Sequence, residues 1–319
     1  MRVAVTGSVA YDTIMVFPGR FADHILPDKT HLINLSFLVD RLEQRRGGTA
    51  ANIAYTMALL GERPLLCAAV GSDFAGYGRD LESVGVDTSA ALRLDDIPTA
   101  SCYITTDLDD NQITAFYAGA MSRATGVDLF AHRGEVDTVV VAPDAPEAMA
   151  MHVEQAGALG ARLAFAPAQQ IPSLSDQALR SGLERAWLVV GNDYELELVR
   201  SRTGIGVEDM RRRGVLVALT RGAMGSELHS ADGTVQVPAA PVVAVVDPTG
   251  AGDGYLAGLV VGLRRGMRPE AAGRMGALAA AYVVEHHGPQ GHHFDGTEFA
   301  ERYRDAFAAE LPGAGGGVE

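Results

Sequence analysis

The sequence predicts an α/β fold: a mostly parallel central sheet with helices on both faces, three layers in all, and a small β lid outside it. Three observations carry this. Short apolar runs recur along the chain, each closed by turn residues and most followed by apolar residues at helical spacing. The runs are rich in Val, Leu and Ala and lack polar alternation, as strands buried on both faces do. Two further stretches break that rhythm with extended and alternating patterns. Strand then helix, repeated, implies right-handed βαβ units. With 319 residues, 47% apolar and 21% charged, the chain can bury one large core, and it shows no internal repeat and no independent second domain.

The elements follow in order. "RVAVTGS" opens the chain as a first strand, and a helix is expected over 49–60. "PLLCAAVG" is the next strand, with a helix over 74–84. "TVVVAPD" leads to a helix over 146–156, and "RLAFAPA" is a further buried strand. "WLVVGND" leads to a helix over 193–201, and "VLVALTRG" follows as another strand. Finally "AAPVVAVVDPTG" reads as a β-branched run passing into a helix over 251–263. The exceptions are 31–46, which reads as extended chain, and "TASCYITTDLDDNQITAFYAGA", two alternating runs around the turn "DLDDN". Alternation means one covered and one open face. A small antiparallel lid built from about 13–46 and 98–120 is therefore expected. The Gly-rich tail at 311–319 reads as flexible.

Charge narrows the function classes. The formal net charge is -14, and no dense basic run exists beyond "RRR" at 211–213, so a nucleic-acid partner is excluded. No apolar run approaches the length of a membrane span, and the N-terminus lacks a signal-peptide pattern. Cys67 and Cys102 lie in apolar runs and read as two buried thiols in a reducing cytoplasm. His286, His287, His292 and His293 lack a zinc-ligand spacing and read as a solvated loop.

The chemistry should lie where polar residues close the strands, because ligands of such sheets sit beyond the strands' carboxyl ends. Asp12, Asn192, Asp193 and Asp253 stand there. "DPTGAGDGYLAGLVVGL" holds the strongest signal. There is no G-x-x-x-x-G-K-[ST], and Tyr255 stands where a dinucleotide fingerprint needs its third glycine. A helix beginning near Ala251 would aim its unpaired amides and positive dipole end at an anion, and Gly250 and Gly252 would let the backbone approach it. Asp253 would then lie beside that anion, where a carboxylate is useful if it accepts a proton from a hydroxyl attacking a bound phosphoryl group.

Here the residues carry a resemblance. "DPTGAGDGYLAG" resembles the C-terminal D-T-x-G-A-G-D signature of the ribokinase-like (PfkB) carbohydrate and nucleoside kinases. "RRGGTAANIAYTMALLG" is similar to the family's G-G-x-x-x-N element, "GNDYE" to its N-x-x-E element and "TRGAMG" to its T-x-G-x-x-G segment. All four come in the family's order, and several stretches look most like the bacterial, actinobacterial-type adenosine kinases. The resemblance implies a ribokinase-like sandwich that moves a phosphoryl group from ATP to a hydroxyl. The acceptor would be a nucleoside, adenosine first, the product a 5'-phosphate, and the role purine salvage. A sugar kinase of the ribokinase or fructokinase type, another nucleoside's kinase, or a silent nucleotide- or sugar-binding regulator are the alternatives.

Residue by residue, the resemblance makes Asp253 the base and Gly250, Ala251 and Gly252 the anion hole. It puts Ser8, Asp12, Gly47, Gly48 and Asn52 around the sugar. Phe116 would stack on the base, with Gln169 and Gln170 lining the site; Cys102 stands where a second aromatic is expected. Asn192, Thr220, Gly222 and Gly225 would contact ATP. Asn192 and Glu195 would hold Mg²⁺ through water, although N-cap and third-position Glu are also a capping box. Asp247 and Thr249, with the loop "EHHGPQG", would hold a monovalent cation such as K⁺. A homodimer through the lid's open face completes the expectation.

Overall fold

The computed structural model describes residues 1–24, 35–109 and 111–312. From the N-terminus come β1 (Arg2–Thr6), β2 (Ala10–Val16), β3 (Arg41–Gly47), α1 (Thr49–Leu59), β4 (Leu65–Cys67) and β5 (Ala69–Val70). Next are α2 (Ala75–Ser83), β6 (Leu92–Arg93), β7 (Ala100–Thr106), β8 (Gln112–Tyr117), β9 (Val136–Val141), α3 (Pro146–Leu159), β10 (Arg162–Phe165) and α4 (Asp176–Arg185). Then follow β11 (Ala186–Asn192), α5 (Asp193–Thr203), α6 (Val207–Arg212), β12 (Leu216–Thr220), β13 (Ser226–Ser230) and β14 (Gly233–Val237). The chain closes with α7 (Ala251–Arg264), α8 (Pro269–Val284) and α9 (Gly296–Phe307).

The main sheet runs β14-β13-β12-β11-β10-β9-β1-β4, parallel from β12 to β4 and antiparallel only at β13 and β14. Both faces are covered. Along β1, Val3 and Val5 enter the apolar cluster that includes α1, α7 and α8, while Ala4 enters the cluster of α3 to α6. This period of two is why the strands read as unbroken apolar runs. Helices α7 and α8 approach through glycine: a Cβ on Gly258 would meet the Met275 carbonyl at 2.7 Å, and one on Gly276 the Tyr255 carbonyl at 2.7 Å. That close packing fixes the direction of α7, and with it the seam at its start.

A second sheet runs β3-β2-β7-β8 beyond the strand ends. It was expected to be antiparallel, but its central pair, β2 with β7, is parallel. The two strands are far apart in sequence, so a crossover and not a hairpin joins them. Three other expectations change. Helices α4, α6, α8 and α9 are additional to those read from periodicity. The β-branched run before the seam forms no strand: Val243 is 96% exposed and Val245 65%, and the amides of Val243 and Val246 go to Glu285 Oε1 and the Val284 carbonyl instead of to a neighbouring strand. Cys67 is buried, but Cys102 is only partly so, because it faces the cleft between the two sheets. Part of the 31–46 stretch (31–34) and most of the 311–319 tail (313–319) lie outside the described residues.

Candidate active site

A cleft of about 490 Å³ lies between the lid and the strand ends of the main sheet. Its floor is the seam into α7. Gly250 adopts φ +83°, a left-handed conformation suited to glycine, and a Cβ there would strike Pro289 at 2.4 Å. Gly252 has no such neighbour; its Cβ would point into open cleft. The amide of Ala251 donates to the Pro248 carbonyl at 3.2 Å. This corrects the expected anion hole: the N–H groups left without a partner among the described residues are those of Gly250, Gly252 and Asp253, the last two on the first turn of α7.

Asp253 is partly buried beside them. Burial pushes its carboxyl up to about 7, against a hydrogen bond from Asn52 Nδ2 to Oδ2 at 2.9 Å that favours the charged form. A carboxylate that ionises near neutral pH is poised to accept a proton.

The lid supplies the opposite wall. Asp12, Cys102 and Phe116 are direct cross-strand partners on β2, β7 and β8, so their side chains share one face, with Arg45 of β3 next in the row. Asp12 is raised above the usual carboxylate value by burial and by Asp247, with Arg45 opposing. Gly47 makes room for it: a Cβ there would meet Asp12 Oδ2 at 2.4 Å. Gly48, at φ +92°, brings the start of α1 against the backbone of Ser8 and Ala10. Ser8 Oγ accepts from the Thr49 amide at 3.1 Å, which makes it a helix-start contact as well as a cleft residue.

At the other end, Asn192 and Glu195 form a reciprocal capping box on α5: Glu195 N donates to Asn192 Oδ1 at 2.8 Å, and Asn192 N to Glu195 Oε2 at 2.9 Å. Both still line the cleft, as do Gln169 and Thr220. Gln169 follows Ala168, a non-glycine residue at φ +40°, a strained conformation of the kind found where a side chain must be aimed. Of the expected residues, Gly47, Gln170, Gly222, Gly225, Asp247 and Ala251 do not line this cleft. Gly225 is required by the fold, since a Cβ would meet the Val237 carbonyl at 2.1 Å; Gly222, at φ +55°, has open space around it.

Two corrections concern charged loops. Asp247 Oδ2 accepts from Arg45 Nη1 at 2.9 Å and from Gly288 N at 3.0 Å, and Oδ1 accepts from Thr249 N at 3.0 Å. Burial would raise this carboxyl, but those hydrogen bonds and the guanidinium outweigh it and hold it below its ordinary value. A guanidinium thus stands where a monovalent cation was expected. His292 is not solvated; it is buried with Nε2 against Thr56 Oγ1, and its carbonyl accepts from Tyr55 Oη at 2.8 Å. No group of three His, Cys, Asp or Glu side chains suited to a metal occurs among the described residues. Among those residues, no helix is long and apolar enough to cross a membrane.

Comparison with known proteins fits this geometry. Residues 5–293 match the model of the pfkB family of carbohydrate kinases. The chain belongs to that family. It is a phosphotransferase acting on a hydroxyl group, on a ribokinase-like α/β fold. The chain is similar to a nucleoside kinase of Methanothermobacter thermautotrophicus, at 33% identity over 88% of this chain and 91% of the relative. Its fold superposes on a Burkholderia thailandensis nucleoside kinase in complex with inosine with TM-score 0.86, at 36% identity, covering 97% of this chain and 99% of the other. A Methanocaldococcus jannaschii nucleoside kinase gives TM-score 0.83 at 28% identity, covering 96% and 99%.

Sequence reasoning about this pfkB kinase missed Arg45, Tyr77 and Gln290 as parts of the site. Arg45 and Gln290 sit within stretches quoted above, "RRGG" and "EHHGPQG". Nothing local marks them, because their partners are up to 238 residues away.

Proposed function

We propose that this protein transfers the γ-phosphoryl group of ATP to the 5'-hydroxyl of a nucleoside, giving the nucleoside 5'-phosphate and ADP. Purine nucleosides are the expected acceptors. Adenosine is one, in line with the sequence resemblance; inosine is another, being the nucleoside held by the Burkholderia protein. Purine salvage in the cytoplasm would be its setting. The observation that carries the reading is the row of Asp12, Cys102 and Phe116 facing Asn52 and Asp253 across one cleft. An aromatic ring at one end suits a base, paired polar groups in the middle suit ribose hydroxyls, and bare amides beside a carboxylate suit the reacting end.

The sequence of events follows from the groups present. Asp12 and Asn52 accept and donate hydrogen bonds to the ribose, and Phe116 stacks on the base. The 5'-hydroxyl then lies against Asp253 Oδ, which takes its proton as the oxygen attacks the γ-phosphorus. The bond from that phosphorus to the β,γ-bridging oxygen breaks, ADP leaves, and Asp253 returns the proton to water. The amides of Gly250, Gly252 and Asp253 stabilise charge on the moving group. Thr220 and Asn192 line the cleft on the side from which ATP would enter, and Gly222 follows Thr220 just outside it. Mg²⁺ fits this donor set if bound mostly through water and phosphate, with Glu195 and Asn192 as outer partners. It would neutralise charge on the phosphates. The Asp247 region does not fit a K⁺ site, and no step runs through one.

The lid's outer face supports a homodimer. Tyr103 and Ile113 are each 45% exposed and Leu42 65%, all on the face away from the cleft, and covering such a face with a second lid would remove it from water.

The test is a coupled assay of ADP release with adenosine, inosine, guanosine, cytidine, ribose and fructose. A nucleoside is expected to exceed both free sugars in kcat/KM by at least tenfold; preference for a free sugar would overturn the assignment.

A further inference from the structure

Behind Asp253 runs a chain of buried and half-buried polar groups, and beyond Asn52 the proposed reaction makes no use of it. Tyr77 Oη donates to the Gly47 carbonyl at 2.8 Å. Its oxygen and Asn52 Oδ1 both accept from Gln290 Nε2, the latter at 2.8 Å. Asn52 Nδ2 then donates to Asp253 Oδ2. Tyr77 is 1% exposed and Asn52 5%. The polarity is set from one end. A carbonyl can only accept, so the phenol gives its one hydrogen to Gly47 and can only accept from Gln290. Gln290 must therefore present its NH₂ edge, which turns Asn52 with its oxygen toward Gln290 and its NH₂ toward Asp253.

We infer that Gln290 is a positioning residue: it holds the Asn52 amide in the one orientation that donates to the catalytic carboxylate. With that restraint gone, Asn52 is free to turn its oxygen toward Asp253, exchanging a stabilising donor for a repelling acceptor. The loop bearing Gln290 is itself held. Gly288 donates to Asp247 at 3.0 Å, and His292 is fastened to α1 through Tyr55 and Thr56. The other charged groups around the cleft are Asp12 and Arg45 of the lid, Asp247 ahead of α7 and Glu195 of α5. None of them is a hydrogen-bond partner of the Gln290 side chain among the described residues.

The inference rests on Asp253 being the base, and the test separates the two. The pH dependence of kcat is measured for wild type, Gln290→Leu, Gln290→Glu, Asn52→Leu and the Asn52→Leu/Gln290→Leu double variant, with Asp253→Asn alongside. Loss of a hydrogen bond to the charged form is expected to move the acid limb of Gln290→Leu upward by about one pH unit, close to tenfold in kcat near pH 6.5, with recovery near pH 9. Gln290→Glu has nearly the same shape but cannot donate, and is expected to move the limb at least as far. In the Asn52→Leu background, Gln290→Leu is expected to move it no further. A loss spread evenly over pH, or an added shift in that background, would overturn the positioning role and leave Gln290 as packing. Retained turnover in Asp253→Asn would instead refute the base assignment.

Discussion

Asp253→Asn is the sharpest test of the site, because the same carboxylate sets both activity and stability. Burial lifts its pKa from 3.8 to about 7, roughly three units, which corresponds to about 4 kcal/mol as an upper limit. The cleft admits solvent, so screening reduces this to about 2 kcal/mol. The sign follows from linkage. A group whose folded pKa is raised stabilises the fold fully below its unfolded pKa, and that contribution is lost as pH rises through the folded value. Asparagine imitates the neutral acid at every pH, and it can still accept from Asn52. The variant should therefore match wild type in stability near pH 4 and exceed it by about 2 kcal/mol above about pH 8, a Tm gain of about 3–6 °C. Turnover should fall by about 10²-fold or more. In wild type, kcat should rise as pH passes about 7, as the base ionises. Scanning calorimetry at the two pH values, with a coupled kinase assay, reads both effects. An Asp253→Asn variant with wild-type turnover and no pH-dependent Tm gain would refute the reasoning.

Four other outcomes are expected. Phe116→Ala should raise the nucleoside KM about tenfold or more, since stacking on a base is worth about 1–3 kcal/mol; a free sugar tested in parallel should show no such change, and equal changes for both would deny Phe116 its role. Gly252→Ala should fold with wild-type Tm, because its Cβ meets nothing, yet lose about 10²-fold in kcat by obstructing the amides. Gly250→Ala should instead lower Tm, since it combines a left-handed φ with the collision against Pro289. The opposite pattern in calorimetry and kinetics would show that the two glycines have been misassigned. Ile113→Asp on the lid's outer face should halve the mass seen by light scattering at micromolar concentration; a wild-type monomer would dispose of the proposed dimer.

How far the sequence could be read varies by element. The strands that read as unbroken apolar runs form the main sheet, because burial on both faces leaves no polar positions to confuse the pattern. The seam was legible as well: Gly250, Gly252 and Asp253 are local in sequence, and their geometry follows from one helix start. The 242–246 run misled, since β-branched residues suggest a strand while the amides of Val243 and Val246 are taken by Glu285 and Val284 at the end of α8. Ala251 misled in a smaller way, its amide being used by the carbonyl of Pro248, three residues earlier and outside the helix. Asp247 was chosen for a cation on a local motif, and the guanidinium that occupies its carboxylate comes from β3, 202 residues away.

By itself the sequence determined the layered α/β architecture, the start of α7 and the carboxylate beside its bare amides, because periodicity, helix termini and glycine conformations act over a few residues. The tertiary structure alone decided that Asn52 faces Asp253, that Asp12, Cys102 and Phe116 share one face of a mixed lid sheet, and that Gln290 reaches Asn52. Those relations depend on which strands pair and on how α1, α7 and the 286–293 loop pack, and no local rule carries such long-range contacts.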